Sequence, residues 1–360
     1  MIYLDYNASV PLRSAAKEAL LKTLAFVGNP SSPHQAGRHL RSLVEEARTE
    51  ILKGLGGKRL VFTSGGTEAN VLALSSAKET PVIVSSIEHE SVLKAVEAPY
   101  TVPVLRTGVI DLEALEKLLT SFERPGLLSV MLVNNETGVI QPMKEVARLA
   151  HAKRWKVHTD VSQAIGHLPF SCEDLDVDMM TLSSHKCGGP VGVGALILRE
   201  AGHVMPLIRG GGQEYGIRGG TLAAPLIVGF AAAVNEAIGE DMSSLKKLQQ
   251  KIEKALPDAI MYGKESPRTA HVACIGMPMV SSDLQLMAFD LKGIAVSAGA
   301  ACSSGTMKSS HVLAAMGVSA LEAGCAIRVS MGWNTQSSDI DAFIDEWNII
   351  YGARRLKEAS

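Results

Sequence analysis

The chain has 360 residues, with 35 Lys and Arg against 37 Asp and Glu, which gives a formal net charge of -2. Without a basic excess, this composition argues against nucleic acid or an anionic membrane as a partner. The length exceeds what one ordinary domain needs, and the hydrophobic content of 46% favours packed cores over disorder.

The first residues carry no basic segment followed by an apolar one, as a signal peptide would. The longest apolar run, 222–234, is shorter than the roughly 20 residues that cross a bilayer. We therefore expect a cytoplasmic protein. The five cysteines are widely spaced and contain no C-x-x-C pair, so we expect neither a zinc knuckle nor a disulfide scaffold, and no metal.

Short β-rich runs alternate with helical patterns over the first two thirds of the chain. These runs cover residues 60–63, 82–85, 128–133, 157–160, 179–183 and 194–198. Several are apolar throughout, which is typical of strands buried on both faces of a mostly parallel sheet. We therefore predict an α/β domain whose ligands lie at the carboxyl ends of the strands.

Apolar residues at helical spacing predict the main helices. The first stripe comprises Leu40, Leu43, Val44, Ala47 and Ile51, and the last comprises Ile340, Phe343, Ile344 and Trp347. Pro142 suits the first turn of a helix that begins at Met143. A long helical stretch from about Ala224 towards Leu256 connects to shorter elements. We predict a large domain over 14–232 and a smaller α+β domain over 233–360 together with 1–13.

Several familiar site motifs are missing from the sequence. No G-x-G-x-x-G follows a strand, and there is no P-loop, no G-x-S-x-G nucleophile elbow and no H-E-x-x-H. Any cofactor must therefore be held by other means.

The segment 63–70, with the sequence TSGGTEAN, lies between a predicted strand and a predicted helix. Two glycines and a hydroxyl at a helix N-terminus offer a phosphate free N–H groups, the positive end of the helix dipole and no Cβ in the way. A plain strand–helix turn with a threonine cap explains the same residues equally well.

Three charged residues suggest chemistry. Asp160 ends a strand, where a carboxylate could pair with a protonated ring nitrogen, although a helix-capping role is commoner. Lys186 precedes a glycine turn and could form a Schiff base with a carbonyl cofactor once its pKa is lowered, although most loop lysines are simply exposed. Arg328 is flanked by small residues on its strand face and could hold a substrate carboxylate or form an interdomain salt bridge.

Three further residues have weaker individual signals. Cys302 lies in a run of small residues from which a thiolate could reach a site in the other domain, if positive charge lowers its pKa from about 8.5. A small buried hydrophobe is the alternative, and we favour it for the other four cysteines. His89 follows a strand and could stack on a flat ring, and Asn135 could donate to a phenolate oxygen, although loop or capping roles are commoner for each alone.

Taken in order, these segments resemble the cysteine desulfurases, which belong to the class V aminotransferase group of pyridoxal-phosphate enzymes with the type I fold. The resemblance covers nearly the whole chain, from YLDYNA at 3–8 and GNPSS at 28–32 to RVSMG at 328–332. Each motif alone is modestly specific, whereas their order and spacing together are highly specific. The extended loop around Cys302 resembles the branch that serves nitrogenase maturation and iron-sulfur assembly.

The resemblance implies an α/β fold with a mostly parallel seven-stranded sheet in the large domain and a smaller α+β domain. It also implies pyridoxal 5'-phosphate as cofactor, L-cysteine as substrate, a homodimer, and a sulfur-acceptor protein such as an iron-sulfur scaffold. The activity it implies is removal of sulfur from L-cysteine, which yields L-alanine and a persulfide on Cys302.

The resemblance also assigns roles to residues. Lys186 would hold the cofactor, Asp160 would pair with its ring nitrogen, and His89 would stack on its ring. The implied cofactor contacts are Gly66, Thr67, His89, Asn135, Asp160, Gln163, Ser183, Ser184, His185, Lys186 and Thr221, the last reaching the phosphate of the neighbouring subunit. Lys186, Cys302 and His89 would be catalytic, and Asn135 and Arg328 would bind substrate.

Some alternatives stay open. A selenocysteine lyase or another class V activity such as transamination fits much of the pattern, although transamination needs no thiol. A non-catalytic sulfur-relay or regulatory protein is the alternative outside enzymes. Family members often carry larger side chains at the positions of Gly188 and Val191, so we expect a looser turn after Lys186.

Overall fold

The computed structural model describes residues 1–77, 79–202, 204–299 and 310–359. Within these residues the strands are β1 (Ile2–Tyr3), β2 (Arg59–Thr63), β3 (Val82–Ser85), β4 (Tyr100–Val102), β5 (Leu127–Ser129), β6 (Lys156–Asp160), β7 (Met179–Ser183), β8 (Gly194–Leu198), β9 (Ile260–Tyr262), β10 (Val272–Gly276), β11 (Ile294–Ala295) and β12 (Ala326–Ser330).

The helices of the same described residues surround these strands. They are α1 (Ser14–Leu24), α2 (Gln35–Leu55), α3 (Gly66–Ser75), α4 (Glu90–Leu93), α5 (Leu112–Thr120), α6 (Met143–Ala152), α7 (Cys172–Leu175), α8 (Ala224–Ile238), α9 (Ser243–Ala255), α10 (Ser282–Leu291), α11 (His311–Ala315), α12 (Ala320–Ala323) and α13 (Ser337–Ala359). Short 3-10 turns cover Ser184–Lys186 and Glu214–Gly216. None of the helices described is long and apolar enough to cross a membrane.

The main sheet has seven strands in the order β2-β8-β7-β6-β5-β3-β4. Neighbours from β7 to β4 pair in parallel, while β8 pairs antiparallel with both β2 and β7. The prediction of a mostly parallel α/β sheet is therefore confirmed. The four parallel strands β3, β5, β6 and β7 end at one edge of the sheet, and the loops that follow them meet there.

The six predicted strand runs account for six of these strands. The run 128–133 is shorter than predicted, because the ladder ends at Ser129, although Val130 and Leu132 still donate to carbonyls of β6. The seventh strand, β4, was not predicted. It is a three-residue edge strand with two exposed side chains, so it lacks the apolar run that marks the others.

The apolar stripe from Leu40 to Ile51 lies on α2, as predicted. The predicted long helix over 224–256 is wrong, because it divides into α8 and α9. Gly239 ends α8, and the carboxylate of Asp241 then accepts hydrogen bonds from the backbone and hydroxyl of Ser243 (2.9 and 2.7 Å), which starts α9. Pro142 directly precedes the first helical residue of α6 instead of lying within its first turn.

Two large apolar cores organise the described residues. One core packs α2, α6 and α8 against the seven-stranded sheet, whose other face packs against α3 in a smaller core. The other large core gathers α9, β10, β12 and α13 around the antiparallel sheet β12-β10-β9, and Leu4 from the N-terminal segment joins it. The domain boundaries at 14–232 and 233–360 stay a prediction.

Candidate active site

A cavity of about 690 Å³ lies where the loops after the parallel strands meet β12 and the N-terminal segment. Most predicted site residues line it, namely Gly66, Thr67, His89, Asn135, Asp160, Gln163, Ser183, His185, Lys186 and Arg328. Ser184 is fully buried beside the lining residues, Thr221 is exposed and does not line the cavity, and Cys302 lies outside the described residues. Ten of the predicted residues therefore line the same cavity.

Lys186 follows β7 and extends toward the N-terminal segment. Its Nζ donates to the carbonyl oxygens of Asn7 and Ala8, the latter at 3.0 Å. Burial, followed by the charge of Arg328, lowers the pKa of Lys186 to about 8, although Asp5 and Asp160 act in the opposite direction. The amine is therefore closer to its neutral, nucleophilic form near neutral pH than an ordinary lysine.

Asp160 lies at the carboxyl end of β6 and is nine-tenths buried. Its Oδ1 accepts a hydrogen bond from the backbone N–H of Ser162 at 2.9 Å, and its Oδ2 accepts one from Nδ2 of Asn70 at 2.8 Å. A carboxylate can accept about four hydrogen bonds, so both oxygens keep capacity for a donor inside the cavity.

His89 directly precedes α4 and caps it. Its Nδ1 accepts from the backbone N–H of Ser91 at 3.1 Å and lies 2.7 Å from the hydroxyl of the same residue. Because Nδ1 is an acceptor, the neutral imidazole carries its proton on Nε2. The ring is exposed where it lines the cavity, and the burial of its other sides lowers its pKa below the ordinary value.

The N-terminus of α3 forms one end of the cavity. Gly66 is its first residue, and the first N–H groups of a helix have no partner within the helix. A Cβ at Gly66 would lie 3.1 Å from the Cβ of Ser183, so a larger residue would narrow the space between the helix and that hydroxyl. The Oγ of Ser183 lies 3.2 Å from Nδ1 of His185, whose pKa burial lowers to about 4. Backbone donors, hydroxyls and a neutral imidazole suit a phosphate.

A partly buried ion pair and a buried one hold this end of the cavity in place. Arg218 donates to the carboxylate of Glu68 in the first turn of α3 (2.9 and 3.3 Å). The fully buried carboxylate of Glu214 accepts from Arg48 (2.7 and 3.0 Å) and from the backbone N–H of Phe62 (2.6 Å) on β2. The hydrogen bond to Glu214 therefore holds β2, the strand that leads into the glycine loop.

Asn7 connects the opposite wall of the cavity. Its carbonyl accepts from Lys186 and from Nε2 of Gln163 at 3.1 Å, and its Nδ2 donates to the carbonyl of Asn135 at 2.9 Å. The side-chain oxygen of Asn135 is buried and has no hydrogen-bond partner among the described residues. Gln163 and Asn135 thus both contact Asn7 and both line the cavity, while their contacts to a phenolic oxygen stay a prediction.

Arg328 on β12 forms a salt bridge within the predicted smaller domain and not between the two domains, and its role toward a substrate carboxylate stays a prediction. Its Nη2 pairs with Oδ1 of Asp5 at 2.8 Å, and its Nη1 donates to the carbonyl of Asn135 at 3.3 Å. Its Nε is buried and has no partner among the described residues. The guanidinium is therefore part of a salt bridge, and it also keeps a free donor beside the cavity for an anion such as a carboxylate.

The four cysteines within the described residues are free and buried. Burial raises the pKa of Cys172 and of Cys187 to about 12, so these thiols stay protonated and inert, as predicted for them. Two residues that flank the segment containing Cys302, Gly299 and His311, both line the cavity.

The turn after Lys186 differs from the expected looser one. Gly188 has φ +85, and a Cβ there would lie 2.6 Å from Cγ of Arg13. Nε of Arg13 also donates to the carbonyl of Cys187 at 2.8 Å. The turn is thus tightly packed against Arg13, and glycine is required by both the backbone angle and the contact. Val191, by contrast, is largely exposed.

Sequence reasoning missed some residues of the site. Asp5 and Asn7 belong to the quoted 3–8 segment but had no assigned role, because nothing in a linear pattern places an N-terminal segment against β12. Asn70 had a detectable signal, since it lies four residues after Gly66 and so shares its helix face. Glu88 gave no signal; its carboxyl is fully buried, and burial raises its pKa to about 8.

The described residues fit pyridoxal phosphate, since donors for a phosphate, an acceptor for a ring N–H and a lysine of lowered pKa line one cavity. Residues 2–343 match the model of the class-V aminotransferase family, described as "Aminotransferase class-V". The chain is 37% identical over 368 residues to a cysteine desulfurase IscS of Dictyoglomus turgidum, covering 96% of this chain and 93% of that one.

The chain is also similar in fold to solved structures. A NifS-like protein from Rickettsia africae is 34% identical, with a TM-score of 0.92, and the match covers 98% of this chain and 99% of that chain. A structure of SspA in complex with cysteine is 30% identical, with a TM-score of 0.79, and the match covers 92% of this chain and 99% of that chain.

Proposed function

Since the chain belongs to the cysteine desulfurases, within the class-V aminotransferase family of pyridoxal-phosphate enzymes, we propose that it removes the sulfur atom of L-cysteine and releases L-alanine. The observation that carries this proposal is the convergence of Lys186, Asp160 and Arg328 on one cavity. These three groups provide an amine of lowered pKa, an acceptor for a ring nitrogen and a cation for a carboxylate.

Bound pyridoxal phosphate supplies an electron sink for carbanion chemistry at the substrate's Cα. The protein's residues supply the rest. Asp160 would accept a hydrogen bond from the ring nitrogen and favour its protonated form, and His89 would hold the ring by stacking. Lys186 removes the Cα proton as general base, because its lowered pKa keeps part of the amine neutral near pH 7 to 8. Arg328 holds the substrate carboxylate so that this proton faces the amine.

The sulfur transfer requires a nucleophile, and we propose Cys302. Its thiolate attacks the substrate sulfur, so that an S–S bond forms, the substrate C–S bond breaks and its electron pair stays with the carbon fragment that becomes alanine after protonation. Cys302 is left as a persulfide, and a thiol reductant or an acceptor protein must remove this sulfur before the next turnover.

The wider setting is also part of the proposal. We infer that the chain acts as a homodimer in which Thr221 reaches the phosphate in the neighbouring subunit, since Thr221 is exposed and outside its own cavity. We further infer a cytoplasmic enzyme that passes sulfur to an acceptor protein such as an iron-sulfur scaffold. Size-exclusion chromatography with light scattering tests the dimer.

The first experiment measures L-alanine formed from L-cysteine by the full-length protein with pyridoxal phosphate, with and without a thiol reductant. We expect alanine in excess of enzyme only with the reductant, because the persulfide otherwise persists. If no alanine forms under either condition, the proposed function is wrong.

The variant Cys302→Ser tests the nucleophile. We expect it to retain the visible absorbance of bound pyridoxal phosphate and to lose alanine formation. The matched control is Cys172→Ser, which alters a buried thiol whose raised pKa makes it inert, and it should keep its activity. Normal turnover in Cys302→Ser would contradict the assigned role while leaving the activity itself intact.

A further inference from the structure

The side chain of Asn70 connects two of the residues that face the predicted cofactor ring. It lies on α3 and is 1% exposed. Its Nδ2 donates to Oδ2 of Asp160 at 2.8 Å and to Oγ of Ser91, also at 2.8 Å. That hydroxyl lies 2.7 Å from Nδ1 of His89. One amide therefore joins the ring-nitrogen carboxylate to the stacking imidazole.

The donors and acceptors of these side chains determine the direction of each hydrogen bond from Asp160 through Asn70 and Ser91 to His89. An ionised carboxylate only accepts, so the group of Asn70 facing Asp160 must be the NH₂ and not the oxygen. The second N–H then occupies a lone pair of the Ser91 hydroxyl, whose own proton turns to Nδ1 of His89. The imidazole proton is consequently on Nε2.

The opposite end of the Asn70 amide supports a donor role. Its Oδ1 is buried and has no partner among the described residues. Leaving a buried carbonyl oxygen without a partner is unfavourable. A side chain that uses both N–H groups and neither lone pair is placed for what it donates to, and its two acceptors both belong to the cofactor site.

We propose that Asn70 is a positioning residue for pyridoxal phosphate: it orients the Asp160 carboxylate toward the ring nitrogen and, through Ser91, sets the tautomer and tilt of the His89 ring. This proposal rests on the proposed function, since it assumes that the cofactor binds in this cavity. It extends that function from the residues with assigned contacts to the ring to one that lines the same cavity and had no assigned role.

The test compares the full-length holoenzyme with Asn70→Ala, Ser91→Ala and a control, Val71→Ala, on the same helix. The dissociation constant of pyridoxal phosphate is measured by equilibrium dialysis, and ring orientation by visible circular dichroism of the bound cofactor. Loss of a hydrogen bond to a charged group predicts that Asn70→Ala weakens binding about tenfold or more. Ser91→Ala should change the dichroism with a smaller loss of affinity, and Val71→Ala should change neither.

A double-mutant cycle separates positioning from a merely structural role. If Asn70 acts through Asp160, then Asn70→Ala should weaken cofactor binding far less in an Asp160→Asn background than in the wild type. Equal losses in both backgrounds, or an unchanged dissociation constant in Asn70→Ala, would overturn the proposal. Far-ultraviolet dichroism and thermal unfolding of each variant identify any that fails to fold, and Ser91→Ala then tests the His89 arm alone.

Different results would contradict the proposed function and the positioning role of Asn70. If the wild-type protein does not bind pyridoxal phosphate, the proposed function fails. If the wild type binds the cofactor and forms alanine, but Asn70→Ala binds it with the same affinity and the same dichroism, only the positioning role fails.

Discussion

The lowered pKa of Lys186 makes the stability of the cofactor-free protein depend on pH in a definite direction. In the folded protein burial brings the pKa to about 8, whereas an ordinary lysine, as in the unfolded chain, has 10.5. Below pH 8 both states carry the charge, so the folded state bears the full cost of a buried ammonium. Between pH 8 and 10.5 the unfolded state binds more protons, and stability rises with pH.

The size of this effect follows from the two pKa values. The difference between 10.5 and about 8, converted at about 1.4 kcal/mol for each pH unit, corresponds to about 3.5 kcal/mol, of which about 3 kcal/mol is reached by pH 10.5. The variant Lys186→Met removes the charge and keeps a chain of similar length. Its loss of hydrogen bonds to the Asn7 and Ala8 carbonyls changes stability by an amount that does not vary with pH.

The assay is urea unfolding of the cofactor-free wild type and Lys186→Met between pH 7 and 10.5. Other groups titrate in this range, including cysteines and tyrosines, but their contributions cancel in the difference between the two proteins. We expect the wild type to gain about 3 kcal/mol relative to the variant across this window. Parallel stability curves for the two proteins would refute a lowered lysine pKa.

Two pairs of substitutions give further tests, one at the phosphate end of the cavity and one at the buried ion pair of Arg48 and Glu214. Gly66→Ala should weaken pyridoxal-phosphate binding more than Gly65→Ala, because a Cβ at Gly66 meets Ser183 while one at Gly65 meets nothing within 4 Å; equal affinities would contradict a close approach at Gly66. Glu214→Gln should cost about 3 kcal/mol or more in urea unfolding because it leaves the buried guanidinium of Arg48 with only its half-exposed partner Glu45. Glu45→Gln, which removes the half-exposed partner of the same arginine, should cost about 1 kcal/mol or less, and similar losses would contradict this difference.

Much of the large sheet could be predicted because each buried strand carries its own signal. Runs such as 82–85 and 179–183 are predominantly apolar, and β3 and β7 have those bounds in the structure. The edge strand β4 escaped prediction because two of its three side chains face solvent. The break between α8 and α9 escaped because the apolar stripe resumes after Gly239, so periodicity alone does not mark the turn.

Some residues of the candidate site could be predicted from the sequence, and others could not. Lys186 and Asp160 could be placed at the site because Asp160 ends β6 and Lys186 follows β7 by three residues, which puts both at the ligand-binding edge of a parallel sheet. The pairing of Asp5 with Arg328 could not, since it depends on how the N-terminal segment crosses to β12. The spacing of Asn70 from Gly66 indicates its helix face, but the sequence does not show which side chains accept from its two N–H groups.

The salt bridge between Asp5 and Arg328 joins residues separated by 323 positions in the chain. Contacts of such long range raise the contact order of the fold, which slows folding. At about 5–20 residues per second, a ribosome needs on the order of 15 to 65 seconds to make the intervening chain. During synthesis the N-terminal segment must therefore wait for β12, so the wall of the cavity that contains Asp5 and Arg328 is completed only after residue 328 has been made.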